Sequence, residues 1–177
     1  EKNPGLSDKE TVARIVGLGA VVFGDLQNDR IKEILFDWDR LLDFQGDAGP
    51  YVQYTYARLK SVLRKAGVGK VDGGELIVEK KKKGAVDVSK LYQPSEERLV
   101  LDLESYPRVL KSALATHHPH LVAQYLLKLC RTANEFYHSC SIIGSDEEKE
   151  RLLLVGKTAL LIKSALGILG IGVVEEM

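Results

Sequence analysis

Long apolar runs, cysteines, a basic leader and a surplus of charge are all scarce or missing here, and each shortage excludes something. The most apolar stretches, LLLVG (152–156) and GILGIGVV (167–174), fall short of the roughly 20 residues that cross a bilayer. Lys157 and Lys163 interrupt them further, so no membrane partner is expected. No basic segment followed by an apolar run opens the chain, which gives no sign of export. Only two cysteines occur, Cys130 and Cys140. They suit a reducing compartment better than a disulfide framework, so a cytoplasmic location is expected. Lys+Arg and Asp+Glu each number 25, for a formal net charge of zero. That balance removes the general argument for a polyanion partner, and any such role must rest on a local patch. The chain opens at Glu1 and not at a methionine, so it is expected to be a piece of something longer.

What is present is ordinary in bulk. A length of 177 residues, 45% apolar and 28% charged, suits one globular domain with ample core. SDKE (Ser7 to Glu10) reads as a capping box opening a helix over 7–22. DLQNDR (25–30) breaks that pattern. IKEILFDWDRLL (31–42) mixes branched, aromatic and charged residues, as either a strand or a helix could. QGDAG (45–49) is a loop, and Pro50 suits the first turn of a helix reaching about Ala66. GVGKVDGG (67–74) and EKKKKG (79–84) read as a linker and a solvated basic loop. Beyond Pro94, helices are expected over about 95–116, 119–138 and 145–169. Ser145 and Glu148 form a second capping box, and Gly170 is a helix stop. No internal repeat is visible.

The helix after Pro50 is the most informative element. At 100° per residue, Val52, Tyr56, Leu59, Val62, Leu63 and Ala66 form an apolar stripe. Tyr51, Tyr54, Arg58, Ser61 and Lys65 share another face. Tyrosine rings beside cations can stack unpaired bases while the cations hold phosphates. Equally, such tyrosines can bridge a helix to a neighbouring layer with their hydroxyls at the rim. Periodicity alone leaves both readings open.

Other motifs carry less. GKT (156–158) lacks the glycine that a phosphate loop needs five positions earlier, where Arg151 stands, and it lies inside an expected helix. THHPH (116–120), with His138 and Cys140, matches no structural zinc spacing, so no metal site is expected. KKKK (80–83) is more simply a solubilising loop than a phosphate contact. No set of nucleophile, base and orienting residue has a supporting context, so no catalytic residue is expected.

The stretch NDRIKEILFDWDRLLDFQGDAGPYVQYTYARLKSVLRKA (28–66) closely resembles the C-terminal part of arginyl-tRNA synthetases, which the family writes approximately as NR…Y.F.WD.ML.FEGNTGPYLQYAYAR..S..RKA. EKNP (1–4) and VGLGAVVFGDL (16–26) are similar to the stretch ahead of that motif. HPHLVAQYLLKLCRTANEFYHSCSII (118–143) resembles the helix written PH…YL..L…F..FY..C.I, and LGILGIGVVEEM (166–177) resembles the terminus LG…PERM. The likeness spans nearly the whole chain.

The resemblance implies an all-α fold, the helical bundle of the class I synthetase anticodon-binding (DALR) type, while the mixed residues near 31–38 leave room for a short strand segment. It implies a junction with an absent catalytic domain over 1–45 and the helical domain over 46–177, carrying a flexible basic insertion at about 67–90. The full enzymes ligate arginine to tRNA(Arg) using ATP and Mg, through HIGH-like and KMSK-like motifs that this chain lacks. KKKKG is no substitute, because it falls on the wrong side of the FDWD…YAR segment. This chain alone is therefore expected to hold no cofactor and catalyse nothing. It is expected to be a monomer whose partners are tRNA(Arg) and its own catalytic domain. Position by position, Gln45, Gly46 and Asp47 match the loop that meets the anticodon arm. Tyr51, Tyr54 and Tyr137 match aromatic positions beside the anticodon nucleotides, Arg58 matches a basic position one turn later, and Lys65 follows near phosphates. Met177 matches a terminal methionine that packs into the same region. Gln45 stands where Glu is usual, Asp47-Ala48 where Asn-Thr is frequent, and Glu176 where the family has Arg. A non-catalytic helical module that binds a protein instead of tRNA is the alternative.

Overall fold

The structure is a computed structural model, and it describes residues 8–72, 75–78 and 87–177. Among the described residues, six helices carry the fold: α1 (Lys9–Leu26), a single turn α2 (Trp38–Leu41), α3 (Gly49–Lys65), α4 (Pro94–Thr116), α5 (His120–Ser139) and α6 (Glu148–Ile168). A three-residue 3₁₀ turn at Val88–Lys90 precedes α4. The core is one cluster drawn chiefly from α1, α3, α4, α5 and α6, with Phe23, Val52, Leu59, Leu99, Leu126, Leu129, Phe136, Ile162 and Leu166 fully enclosed. The expected helical bundle is therefore what the chain forms.

Local sequence explains most boundaries. Asp8 caps α1, its Oδ1 accepting from the Thr11 N–H at 3.2 Å, while Ser7 lies outside the described residues. Helix α1 runs on to Leu26, one turn past the expected end, because Phe23 and Gly24 are buried and hold it there. At its crossing with α3, a Cβ on Gly49 would lie 2.7 Å from the Gly19 carbonyl oxygen. Only the missing side chain lets the two backbones approach so closely. Gln53 then ties three segments together, its Nε2 donating to the Gly172 oxygen at 2.8 Å and the Ile15 oxygen at 3.3 Å.

Helix α4 opens with the Gln93 N–H donating to the Glu96 carboxylate at 2.9 Å. Glu96 is completely buried and also accepts from Arg151 Nε at 2.7 Å, which pins α6 to the start of α4. His117 ends α4 in the left-handed conformation (φ 56°), so THHPH is a turn between antiparallel helices. Tyr106 stacking on Tyr125 follows from that pairing of α4 and α5. Gly170 stops α6 as expected, with φ 74° and the Ile171 N–H reaching back to the Leu166 oxygen at 2.9 Å.

Three expectations need correction. The strand segment near 31–38 does not form. Residues 31–37 are turn and irregular chain, since among the described residues no second strand lies alongside to accept a ladder. Ile31 (82% exposed), Leu35 (94%) and Trp38 (58%) stand open to solvent there, with Trp38 edge-on to Phe36 at 4.8 Å. Second, the stretch read as linker contains a hairpin, β1 (Val68–Asp72) paired antiparallel with β2 (Glu75–Val78). The lysines of KKKK (80–83) and EKNP (1–4) lie outside the described residues. Third, Ser145 does not cap α6. Its hydroxyl donates to the Ile142 oxygen at 3.2 Å, and Glu148 instead accepts from the Gly144 N–H at 2.8 Å. GKT sits inside α6, with the Thr158 hydroxyl donating back to the Leu154 oxygen.

Candidate nucleic-acid interface

Helix α3 sorts its three tyrosines as the periodicity predicts. Tyr56 is buried in the core, Tyr51 is half-buried and Tyr54 is exposed. The face carrying Tyr51, Tyr54 and Arg58 turns toward α5. There the Arg58 guanidinium lies 4.8 Å from the Tyr54 ring centroid and 5.5 Å from that of Tyr137. Its Nη1 donates to Asn134 Oδ1 at 2.8 Å. Phe44, from the loop ahead of α3, meets the Tyr54 ring edge-on at 6.5 Å. Phe44, Tyr54, Arg58, Asn134 and Tyr137 thus form one continuous cluster, in which Arg58 covers a face of each tyrosine. Cation–π attraction and the neutral amide hold the guanidinium.

Tyr51 belongs to the same cluster but plays a different part. Its hydroxyl oxygen accepts from Asn134 Nδ2 at 3.0 Å, and its ring packs against the core. Burial raises its pKa above the ordinary phenol value, while the bond from Asn134 pulls weakly the other way. The bridging reading of tyrosines therefore describes Tyr51, whereas Tyr54 and Tyr137 remain at the surface.

The loop residues are placed by Asp43. Its Oδ1 accepts from the Gln45 N–H at 2.7 Å, and its other oxygen lies over Gly46, 2.4 Å from where a Cβ would stand. A side chain at Gly46 would displace that carboxylate. Asp47 forms an ion pair with Arg131 of α5, so the loop is tethered to the same helix that supplies Asn134 and Tyr137. Gln45 is exposed.

Lys65 lies farther along α3, exposed two turns beyond Arg58 along the same face, about 10 Å by helical rise. Glu175 and Glu176, ahead of Met177, run along a different face of α3. Glu175 pairs with Lys60 at 3.4 Å and Glu176 with Arg64 at 3.1 Å. The departure at Glu176 thus has a local partner in Arg64.

Asn134 and Arg131 were not among the residues singled out from sequence, although RTANEFY carries the signal. Arg131, Asn134 and Tyr137 recur every third residue on a helix whose other positions, Cys130, Ala133 and Phe136, are fully buried. A polar row on an otherwise apolar helix marks a face that meets solvent or a partner. Among the described residues, no group of three or more His, Cys, Asp or Glu side chains is placed to hold a metal. No helix of the described residues is long and apolar enough to cross a membrane. The cluster offers flat rings, a guanidinium and hydrogen-bonding groups, which suit recognition of an unstacked nucleotide.

Comparison with known proteins agrees with this geometry. The chain is 41% identical over its whole length to the arginine–tRNA ligase of Clostridium acetobutylicum and 40% identical to that of Clostridium kluyveri. It spans 30% of the length of those relatives. The arginyl-tRNA synthetase of Thermus thermophilus superposes with a TM-score of 0.86 at 35% identity, covering all of this chain and 29% of that one. The Plasmodium falciparum arginyl-tRNA synthetase gives 0.78 at 25% identity, over 97% of this chain and 29% of that one. Residues 52–177 match the family described as the DALR anticodon binding domain. From the core of α3 to its last residue, this chain belongs to the DALR anticodon-binding family, homologous to the C-terminal region of arginyl-tRNA synthetases.

Proposed function

We propose that this chain recognises the anticodon of tRNA(Arg), within a larger arginine–tRNA ligase whose catalytic part lies elsewhere. The observation that carries the reading is Arg58, set between Tyr54 and Tyr137 and, among the described residues, bonded to no carboxylate. A cation held by neutral groups and flanked by two surface rings offers both attraction for phosphate and planes for bases. Bases stack on the rings of Tyr54 and Tyr137, Tyr51 forms the wall between α3 and α5, and Lys65 meets phosphates farther along. The loop Gln45, Gly46 and Asp47 closes one side, and Met177 ends the segment on the other. ATP and Mg belong to the catalytic part of the larger protein, and the reading assigns no residue here to them.

Residues 1–45 serve as the junction with that catalytic part. The exposed side chains of Ile31, Leu35, Phe36 and Trp38 support this, since apolar groups so grouped ordinarily meet a partner surface. The protein acts in the cytoplasm as a monomer. The same patch is the one observation that favours a purely protein-binding module. Titration of the chain with transcribed tRNA carrying an arginine anticodon, and with the same tRNA carrying an unrelated one, separates the two. Anticodon recognition predicts tighter binding of the first. It also predicts that Tyr54→Ala weakens that binding by about 1–3 kcal/mol, as for loss of one stacked base. Equal binding of both tRNAs, or an unaffected and normally folded Tyr54→Ala variant, would remove the reading.

A further inference from the structure

Hydrogen-bond polarity around Asn134 restricts what Tyr51 can do. Asn134 stands on α5 opposite α3 and reaches three side chains there. Arg58 Nη1 approaches it at 2.8 Å, Tyr51 Oη at 3.0 Å and Thr55 Oγ1 at 3.3 Å. A guanidinium only donates, so the amide end facing Arg58 is the oxygen. The other end is then the NH₂ group, which only donates. It follows that the Tyr51 oxygen accepts at this contact.

A phenol carries one proton, and the contact with Asn134 uses a lone pair. The proton therefore lies on the other in-plane side of the ring. Thr55 does not bond to it, since the Thr55 hydroxyl donates to the Tyr51 main-chain oxygen at 2.9 Å and accepts from Asn134. Among the described residues, no acceptor for this proton is found. Burial also keeps the hydroxyl neutral at physiological pH, because its pKa is raised.

We propose that Asn134 is a positioning residue that fixes Tyr51 as a hydrogen-bond donor, and that Tyr51 reads an acceptor atom, a carbonyl oxygen or ring nitrogen, on the edge of an unstacked base. The inference rests on the anticodon-recognition reading and refines it, because it makes Tyr51 a specificity residue and not a stacking surface. A site built to donate to a base edge discriminates by the cost of leaving its donor unpaired. A stack, in contrast, accepts any base.

Tyr51→Phe tests this by removing one oxygen while keeping the ring. Binding to tRNA with an arginine anticodon is expected to weaken roughly tenfold, the size of one well-formed hydrogen bond. Binding to the same tRNA with an unrelated anticodon should stay unchanged, so the preference between them collapses. Equal weakening toward both tRNAs would overturn the assignment to a base edge and point to a phosphate acceptor.

Asn134→Asp provides the second arm. The new carboxylate still accepts from Arg58 but also draws in the Tyr51 proton, so this variant should lose the same anticodon preference. The added negative charge weakens binding of both tRNAs alike, which leaves the preference as the clean readout. In a Tyr51→Phe background, Asn134→Asp should reduce the preference no further. Full retention of preference in Tyr51→Phe, or independent losses in the two variants, would sink the proposal. Should the parent chain itself show no anticodon preference, the broader reading fails with it, an outcome distinct from a preference that survives Tyr51→Phe.

Discussion

Two faces of α3 carry cations and treat them in opposite ways. On the face toward α5, Arg58 is held by two rings and an amide, all neutral. On the face toward the C-terminal segment, Lys60 and Arg64 meet Glu175 and Glu176. Arg64 also donates to the Glu175 main-chain oxygen at 3.0 Å. Neutral partners fix a guanidinium in place yet leave its field intact, whereas carboxylates cancel it. The attraction that a helix exerts on a polyanion therefore depends on the partners of its cations more than on their number. A chain of zero net charge can still present one effective cation this way.

The comparison can be broken from either side. The largest effect is expected for Arg58→Ala, which should weaken tRNA binding roughly 30-fold, in the range for hydrogen bonds to a charged group. Arg58→Lys keeps the charge but not the planar contact with both rings, and should recover only part of that loss. Titration under matched salt decides this, and binding unaffected by Arg58→Ala would end the distinction between the faces.

An intermediate effect concerns Tyr56, which lies on the tail side. Burial pushes its pKa up to about 12, and the Glu175 carboxylate adds to the shift. A raised value in the folded protein gives stability that is complete below the ordinary phenol value near 10. That contribution is lost as pH rises through about 12. Thermal melts should therefore show stability falling from about pH 10 upward. Tyr56→Phe should remove part of that slope, and a slope unchanged by the substitution would count against it.

The smallest effect is expected for the pair Glu175→Gln and Glu176→Gln. Releasing Lys60 and Arg64 should raise tRNA affinity about two- to fivefold and steepen its salt dependence. The melting temperature should move little, because exposed ion pairs contribute about 0–1 kcal/mol. Unchanged affinity and salt slope would mean that the tail face never meets RNA.

Much of this was legible in the residues. The apolar stripe of α3 and the separation of Tyr56 from Tyr54 follow from a 3.6-residue period, since one helix obeys its own geometry whatever surrounds it. Gly170 was legible for the same local reason. What could not be read were features set by a second element. The segment 31–37 has strand-like composition, but a strand exists only with a neighbour, and none of the described residues supplies one there. Ser145 and Glu148 have capping spacing, yet Gly144 takes the carboxylate first. At the candidate site, Tyr54 and Arg58 share a helix and were found together, while Asn134 lies 76 residues from its partner Arg58. The role of Asn134 depends on how α5 packs against α3, which no local period encodes.

Trp38 carries a consequence for anyone who studies the unfolding of this chain. It is the sole tryptophan, and it stands on a one-turn helix in the exposed stretch, beside Phe36 and away from the enclosed core. Its fluorescence will report first on the 31–44 stretch, so a change in emission does not by itself signal that the bundle has melted. Far-ultraviolet circular dichroism follows the helices directly, and a gap between the two signals would measure how independently that stretch comes apart.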